Sequence, residues 1–152
     1  MQMDEPFDLQ RFVNAQESVF ATALEELQDG RKRSHWMWFI FPQLRGLGRS
    51  AAAEFYGIAS LDEARAYLAH PVLGPRLERA TRAVLATQGR TLHAIFGSPD
   101  DMKFHSSMTL FALAADEAAT LYREALARYR NGQMDEATLT LLGRAKPAGP
   151  AL

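Results

Sequence analysis

Apolar residues recur along this chain at intervals of three, four and seven, the spacing that gathers them on one face of an α-helix. Leu9, Phe12, Val13, Phe20, Leu24 and Leu27 mark a first amphipathic helix from Leu9 to Gln28, with Asp8 as its N-cap and Gly30 as its C-terminal stop. Gln16 falls on the apolar stripe of that helix, four residues from both Phe12 and Phe20, and a buried amide there needs partners. Ser34 to Phe41 is apolar at nearly every position, so periodicity does not separate a short buried helix from a strand. We favour a short helix capped by Ser34 and ended by Pro42.

After the loop Gln43 to Arg49, Ser50 caps a short helix through Tyr56, and Gly57 closes it. Ser60-Leu61-Asp62-Glu63 reads as a capping box in which Glu63 returns a hydrogen bond to the Ser60 amide, and the helix stops near His70 before Pro71. Leu73, Leu77, Ala80 and Val84 define a helix from Pro75 to Thr87, and Leu92 to Phe96 is a short apolar element. Ser98 to Asp101 opens another helix with a cap, a proline and acids in the first turn, running to Ala114. Asp116 caps a helix in which Leu121, Tyr122, Ala125 and Tyr129 face inward, and Met134 to Leu142 forms a last one. The pattern predicts an all-α, single compact domain of about six to eight helices over 7–142, with a flexible tail over 143–152 and no repeats or alternating strands.

Composition narrows this picture. A chain of 152 residues that is 47% hydrophobic and 23% charged suits one globular domain. It holds no cysteine, which excludes disulfides, thiolate metal sites and a cysteine nucleophile, and fits a reducing compartment. Asp4, Glu5 and Asp8 lie where a secretion signal would be apolar. The longest apolar run, Trp36 to Pro42, is seven residues, against the roughly 18 that a membrane-spanning helix needs. The expectation is a cytoplasmic protein without a membrane partner.

The net charge of −1 does not point to nucleic acid as a partner. The charge is unevenly spread, however. Arg31, Lys32, Arg33, Arg45 and Arg49 give the window Gly30 to Ala53 a charge of +5 with no acid, leaving −6 elsewhere.

That window contains the most distinctive stretch, Lys32 to Gln43, where His35 directly precedes the two tryptophans of the chain, Trp36 and Trp38. Trp36, Phe39 and Ile40 are most economically a core plug, because large apolar side chains are usually buried. The flanks offer more chemistry. Arg45-Gly46-Leu47-Gly48-Arg49-Ser50 runs into a predicted helix start, where free amides favour an anion and two guanidinium groups can pair with phosphate oxygens, although a simple turn explains the same residues.

In Asp100 to Thr109, Lys103 shares a helix face with Ser106 and Ser107, so it is a candidate to activate a hydroxyl if buried; a solvated lysine is the commoner outcome. Asp100 and Asp101 are explained first as charges at a helix start. His35 is the best placed acid or base of the four histidines, which lack the helical spacing of metal ligands, so no metal is expected.

Phe12, Gln16, Gly30 and Lys32, the run Ser34 to Gln43, Gly46-Leu47-Gly48 and Ser50 form one set of marker positions. Ala64, Tyr67-Leu68, His70-Pro71, Leu73-Gly74, Ile95-Phe96-Gly97, Pro99-Asp100-Asp101, Lys103 and the run Ser106 to Phe111 extend it. On these residues the chain resembles a bacterial family known as domain of unknown function 1810, from Phe7 to Leu142. The resemblance implies a mainly helical single domain and supplies no activity. Some members carry the label calpastatin-like; calpain inhibitors resemble extended, repeat-built chains, a pattern this sequence does not share.

Two functional expectations follow. In the first, the domain binds or acts on a phosphate-bearing small molecule such as a nucleotide. Lys32, Arg45, Arg49, Ser50 and the Gly46 to Gly48 turn would hold the anion, Trp36 or Trp38 would stack on a ring, and Gln16, His35, Gln43 and Lys103 would line the cleft. His35 and Lys103 are the catalytic candidates; no reaction and no cofactor are assigned. In the alternative, the tryptophans and basic turn form an exposed anchor for a protein partner. Convergence of Lys32, His35, Gln43 and Lys103 on one cavity would separate the two.

Overall fold

The computed structural model describes residues 6–115 and 120–143. They form ten α-helices: α1 (Gln10–Gln16), α2 (Phe20–Gln28), α3 (Met37–Ile40), α4 (Ala51–Tyr56), α5 (Leu61–Ala69), α6 (Leu73–Ala86), α7 (Leu92–Phe96), α8 (Asp100–Ala115), α9 (Leu121–Arg130) and α10 (Glu136–Leu141). Helix α8 is the central element. Ten of its sixteen residues are buried, as expected of a helix covered on all sides. It packs against α5, α7, α9 and α10, while α6 packs against α2, α5 and α9. No helix among the described residues is long and apolar enough to cross a membrane.

The core is strongly aromatic. Phe41 meets Phe104 edge-on with centroids 5.0 Å apart, Phe96 stacks on Phe104 at 4.9 Å, and Tyr67 lies edge-on to Phe12. Such pairs add to the energy of burial itself. The aromatic run of α3 therefore joins the N-terminal helices to α7 and α8.

The structure departs from the sequence pattern at several points. The first helix is two, α1 and α2, broken at 17–19. The break lets α1 pack on α3 while α2 packs on α6, which one straight helix would not do. Asp8 does not cap α1; it has φ +53°, and its carbonyl accepts hydrogen bonds from Arg11. At the other end, Gly30 acts as expected: with φ +76° it lets Arg31 N–H reach back to Glu26 O, closing α2.

Helix α3 is only four residues long, and Ser34 does not cap it, because the Ser34 side chain is taken by Glu26. Glu63 bonds the amide of Ala59 rather than that of Ser60, while Ser60 Oγ caps Glu63 N–H as predicted. Helix α6 begins two residues early because His70 Nδ1 accepts from the amides of Val72 and Leu73. Thr120 caps α9; Asp116 lies outside the described residues, as does most of the tail expected over 143–152. One isolated parallel bridge, Leu44 to Ile58, pins the chain after Pro42, with Ile58 N–H donating to Gln43 O at 3.0 Å.

Candidate functional site

The segment between α2 and α3 is organised by a residue the sequence did not single out, Glu26. Its Oε1 accepts from Arg33 N (2.8 Å), Ser34 N (3.0 Å) and Trp36 Nε1 (2.9 Å), and its Oε2 from Ser34 Oγ (2.6 Å). Burial pushes the carboxyl pKa up, but these donors outweigh it and hold the pKa at about 2. Glu26 thus fixes the turn and the indole of Trp36, which is fully buried.

This turn places Lys32 over α8. The Lys32 amide donates to Ile95 O at 2.7 Å, tying the backbone to α7. Its ammonium reaches Asp100 Oδ2 at 2.9 Å and lies 5.1 Å from the centre of the Trp36 ring. One turn along α8, Lys103 Nζ lies 3.6 Å from Asp100 Oδ1 and 5.3 Å from the centre of the Trp38 ring. Two of the three lysines of the chain therefore flank one aspartate, each over one of its two tryptophans. The Lys32 side chain is 9% exposed and that of Lys103 23%. Two ammonium groups on one carboxylate leave one positive charge in excess, beside aromatic faces that favour cations.

Gln43, Trp38 and Lys103 meet at one small cavity with Met37, Phe41, Ala53, Tyr56 and Gly57. Its volume, about 10 Å³, admits a single water-sized atom. Lys32 reaches this place through Asp100 and does not line the cavity.

The remaining expected residues fall elsewhere. His35 is exposed and outside the cavity lining. Gln16 is an internal brace: its amide donates to Phe39 O and Tyr67 Oη, and its Oε1 accepts from Arg76. Arg45 spends its guanidinium on the carbonyls of Glu54 and Gly57. Gly46 faces Leu141, and Gly48 faces Ala53 closely enough that a Cβ there would come within 2.7 Å. Ser50 caps α4 through Ala53 N–H. Arg49 is exposed. The glycine-flanked segment thus serves packing at Gly48 and capping at Ser50.

The pairing of Lys103 with a serine is not formed. Ser106 Oγ bonds Met102 O and Asp135, and Ser107 Oγ, fully buried, has no hydrogen-bond partner among the described residues. The histidines are also dispersed: His70 caps α6, His93 lies 3.4 Å from Asp101, and buried His105 contacts Gln133 O at 2.8 Å. Burial lowers the His105 pKa below its ordinary value despite that contact.

Fold and site together define a small all-α domain in which a lysine–aspartate–lysine cluster rests on two tryptophans. The chain belongs to a family described as proteins of unknown function, DUF1810, whose model matches residues 6–142. It is similar to a solved structure, that of the conserved hypothetical protein Rv1873 from Mycobacterium tuberculosis, at 55% identity. The match covers 93% of this chain and 100% of the other, with a TM-score of 0.89. No curated protein matches.

Proposed function

We propose that this domain binds a phosphate-bearing small molecule through the lysine–aspartate–lysine cluster. The observation that carries the reading is the charge imbalance: Lys32 and Lys103 share Asp100, so the cluster holds a surplus positive charge at a half-buried place. A phosphoryl oxygen fits the small cavity beside Gln43 and Lys103, with the rest of the ligand outside it. Recognition of the anionic group supplies the affinity, since so small a cavity does not enclose a nucleobase. Helix α4 supplies Ala53 and Tyr56 to the cavity wall, but its N-terminus and the glycines before it are left out of the anion contact.

The burial of Trp36 supports this reading over a protein-docking anchor, because the indole is used as a platform for Lys32. The test is a thermal-shift and tryptophan-fluorescence screen against inorganic phosphate, sugar phosphates and nucleotides. A saturable response to inorganic phosphate that Lys103→Ala abolishes is expected; silence from every compound at millimolar concentration rejects the proposal.

A further inference from the structure

A sizeable cleft lies away from this cluster. It has a volume of about 690 Å³, within the range of small-molecule sites. It runs between the turn after α6, the start of α7 and the end of α9, and Arg90, Arg128, Arg130, His93, Thr91 and Tyr129 are among its walls. A second cleft, of about 460 Å³, adjoins it and adds Arg79 and Arg82; the two share Thr87 and Arg90. None of these arginines belongs to the basic window at 30–53.

Three acids near this groove are paired with arginines, and a fourth, Asp101, faces a histidine that carries charge only when protonated. Asp101 faces His93, Asp29 is paired with Arg33 at 2.8 Å, and Glu78 and Glu124 lie 3.8 and 3.9 Å from Arg82 and Arg128. Arg128 is also held by Leu85 O, and Arg79 lies over the Phe20 ring. Arg90 and Arg130 make no ion pair and no side-chain hydrogen bond among the described residues, although both line the larger cleft. Gly30 helps to set the lie of Arg90, because a Cβ there would come within 3.0 Å of its Nε.

We infer that this groove is a second anion site, for a ligand carrying a chain of two or more phosphoryl groups. Guanidinium forks match phosphate oxygens in pairs, and several planar donors spread along one cleft suit several phosphoryl groups better than one. Arg90 and Arg130 supply the uncompensated charge, Arg128 supplies an anchored donor, and Thr91 lies among them with its hydroxyl accepting from Ala94 N–H. This site is independent of the lysine cluster.

The experiment is calorimetric titration of the full chain with tripolyphosphate and, separately, with ATP. The variants are Arg90→Ala, Arg130→Ala, Lys103→Ala, and Arg49→Ala, an exposed arginine outside the lining of both clefts. All four positions are at the surface or half-exposed, and circular dichroism verifies folding. Each groove substitution is expected to weaken the groove event about tenfold or more, the worth of one charge-assisted contact, with Arg49→Ala unchanged and Lys103→Ala removing only a separate event at the lysine cluster. Tighter ATP binding through the same arginines identifies a nucleotide, and equal affinity identifies the phosphate chain alone; either result supports the site. Absence of binding to the parent chain, or equal loss in Arg49→Ala, overturns it. Loss confined to Lys103→Ala also overturns it, and leaves the lysine cluster standing.

Discussion

Glu26 and Asp100 are two carboxylates that hold the entry to the same aromatic segment, Glu26 at Arg33, Ser34 and Trp36 and Asp100 at Lys32, and they do so in contrasting ways. Glu26 collects four donors from Arg33, Ser34 and Trp36, three of them neutral groups of the backbone or a hydroxyl and one an indole, and is buried. Asp100 meets two ammonium groups in a half-open setting. The first arrangement is internally satisfied, since both oxygens accept hydrogen bonds from the segment they fix. The second is open, because one carboxylate does not neutralise two cations. Satisfied polar groups hold a fold together, and an imbalance is where a ligand gains energy.

The comparison breaks most sharply at Glu26. Glu26→Gln is expected to cost about 3 kcal/mol at neutral pH, because an amide nitrogen then faces donors and a buried network is left unpaired. Urea unfolding measures this. The folded-state pKa lies below the ordinary value of 4.5, at about 2, so the Glu26 contribution is complete above pH 4.5 and is lost as pH falls toward 2. The gap between parent and variant should close over that window; a gap that stays constant with pH would mean the carboxylate charge is irrelevant.

Asp100→Asn is the opposite probe. It leaves Lys32 and Lys103 without their counter-charge and is expected to destabilise by about 1–2 kcal/mol, while strengthening the response to inorganic phosphate. Weaker phosphate binding in this variant would argue that Asp100 orders the lysines rather than competing for them. Lys103→Ala should change stability by no more than about 0.5 kcal/mol, since its ion pair is partly exposed, yet remove the fluorescence response of the Trp38 neighbourhood to phosphate. No loss of stability is expected at Ser107, the one buried hydroxyl without a partner among the described residues. Ser107→Ala should be neutral or stabilising by up to about 1 kcal/mol. A large loss in thermal unfolding would show a hidden partner and weaken the contrast between satisfied and unsatisfied groups.

Legibility in the sequence follows range of action. Caps at Ser50 and Ser60 and the stop at Gly30 were readable, because each depends on residues within a turn. Gln16 was readable as a buried amide needing partners, but not as the brace between Phe39, Tyr67 and Arg76, which come from three distant elements. Of Lys32, His35, Gln43 and Lys103, expected to converge on one cavity, Gln43 and Lys103 line it, Lys32 reaches it only through Asp100, and His35 does not take part. Asp100 was taken as a helix-start charge, and its partnership with Lys32 spans 68 positions. Glu26 gave no signal at all, since an acid near the end of an amphipathic helix looks like surface. The arginine groove was equally silent, because α6, α7 and α9 contribute to it separately.

By itself the sequence determined that this is an all-α chain, where most helices begin and end, and that the Lys32 to Gln43 segment is its most unusual stretch. Those properties rest on local periodicity, capping and composition, which act within a few residues. Only the tertiary structure decided that the first helix breaks in two, that Trp36 is a buried platform, that His35 stands apart, and that two lysines share one aspartate. Each of these depends on which side chains meet across elements far apart in the chain, where charge balance and burial are set by the neighbours rather than by the residue type.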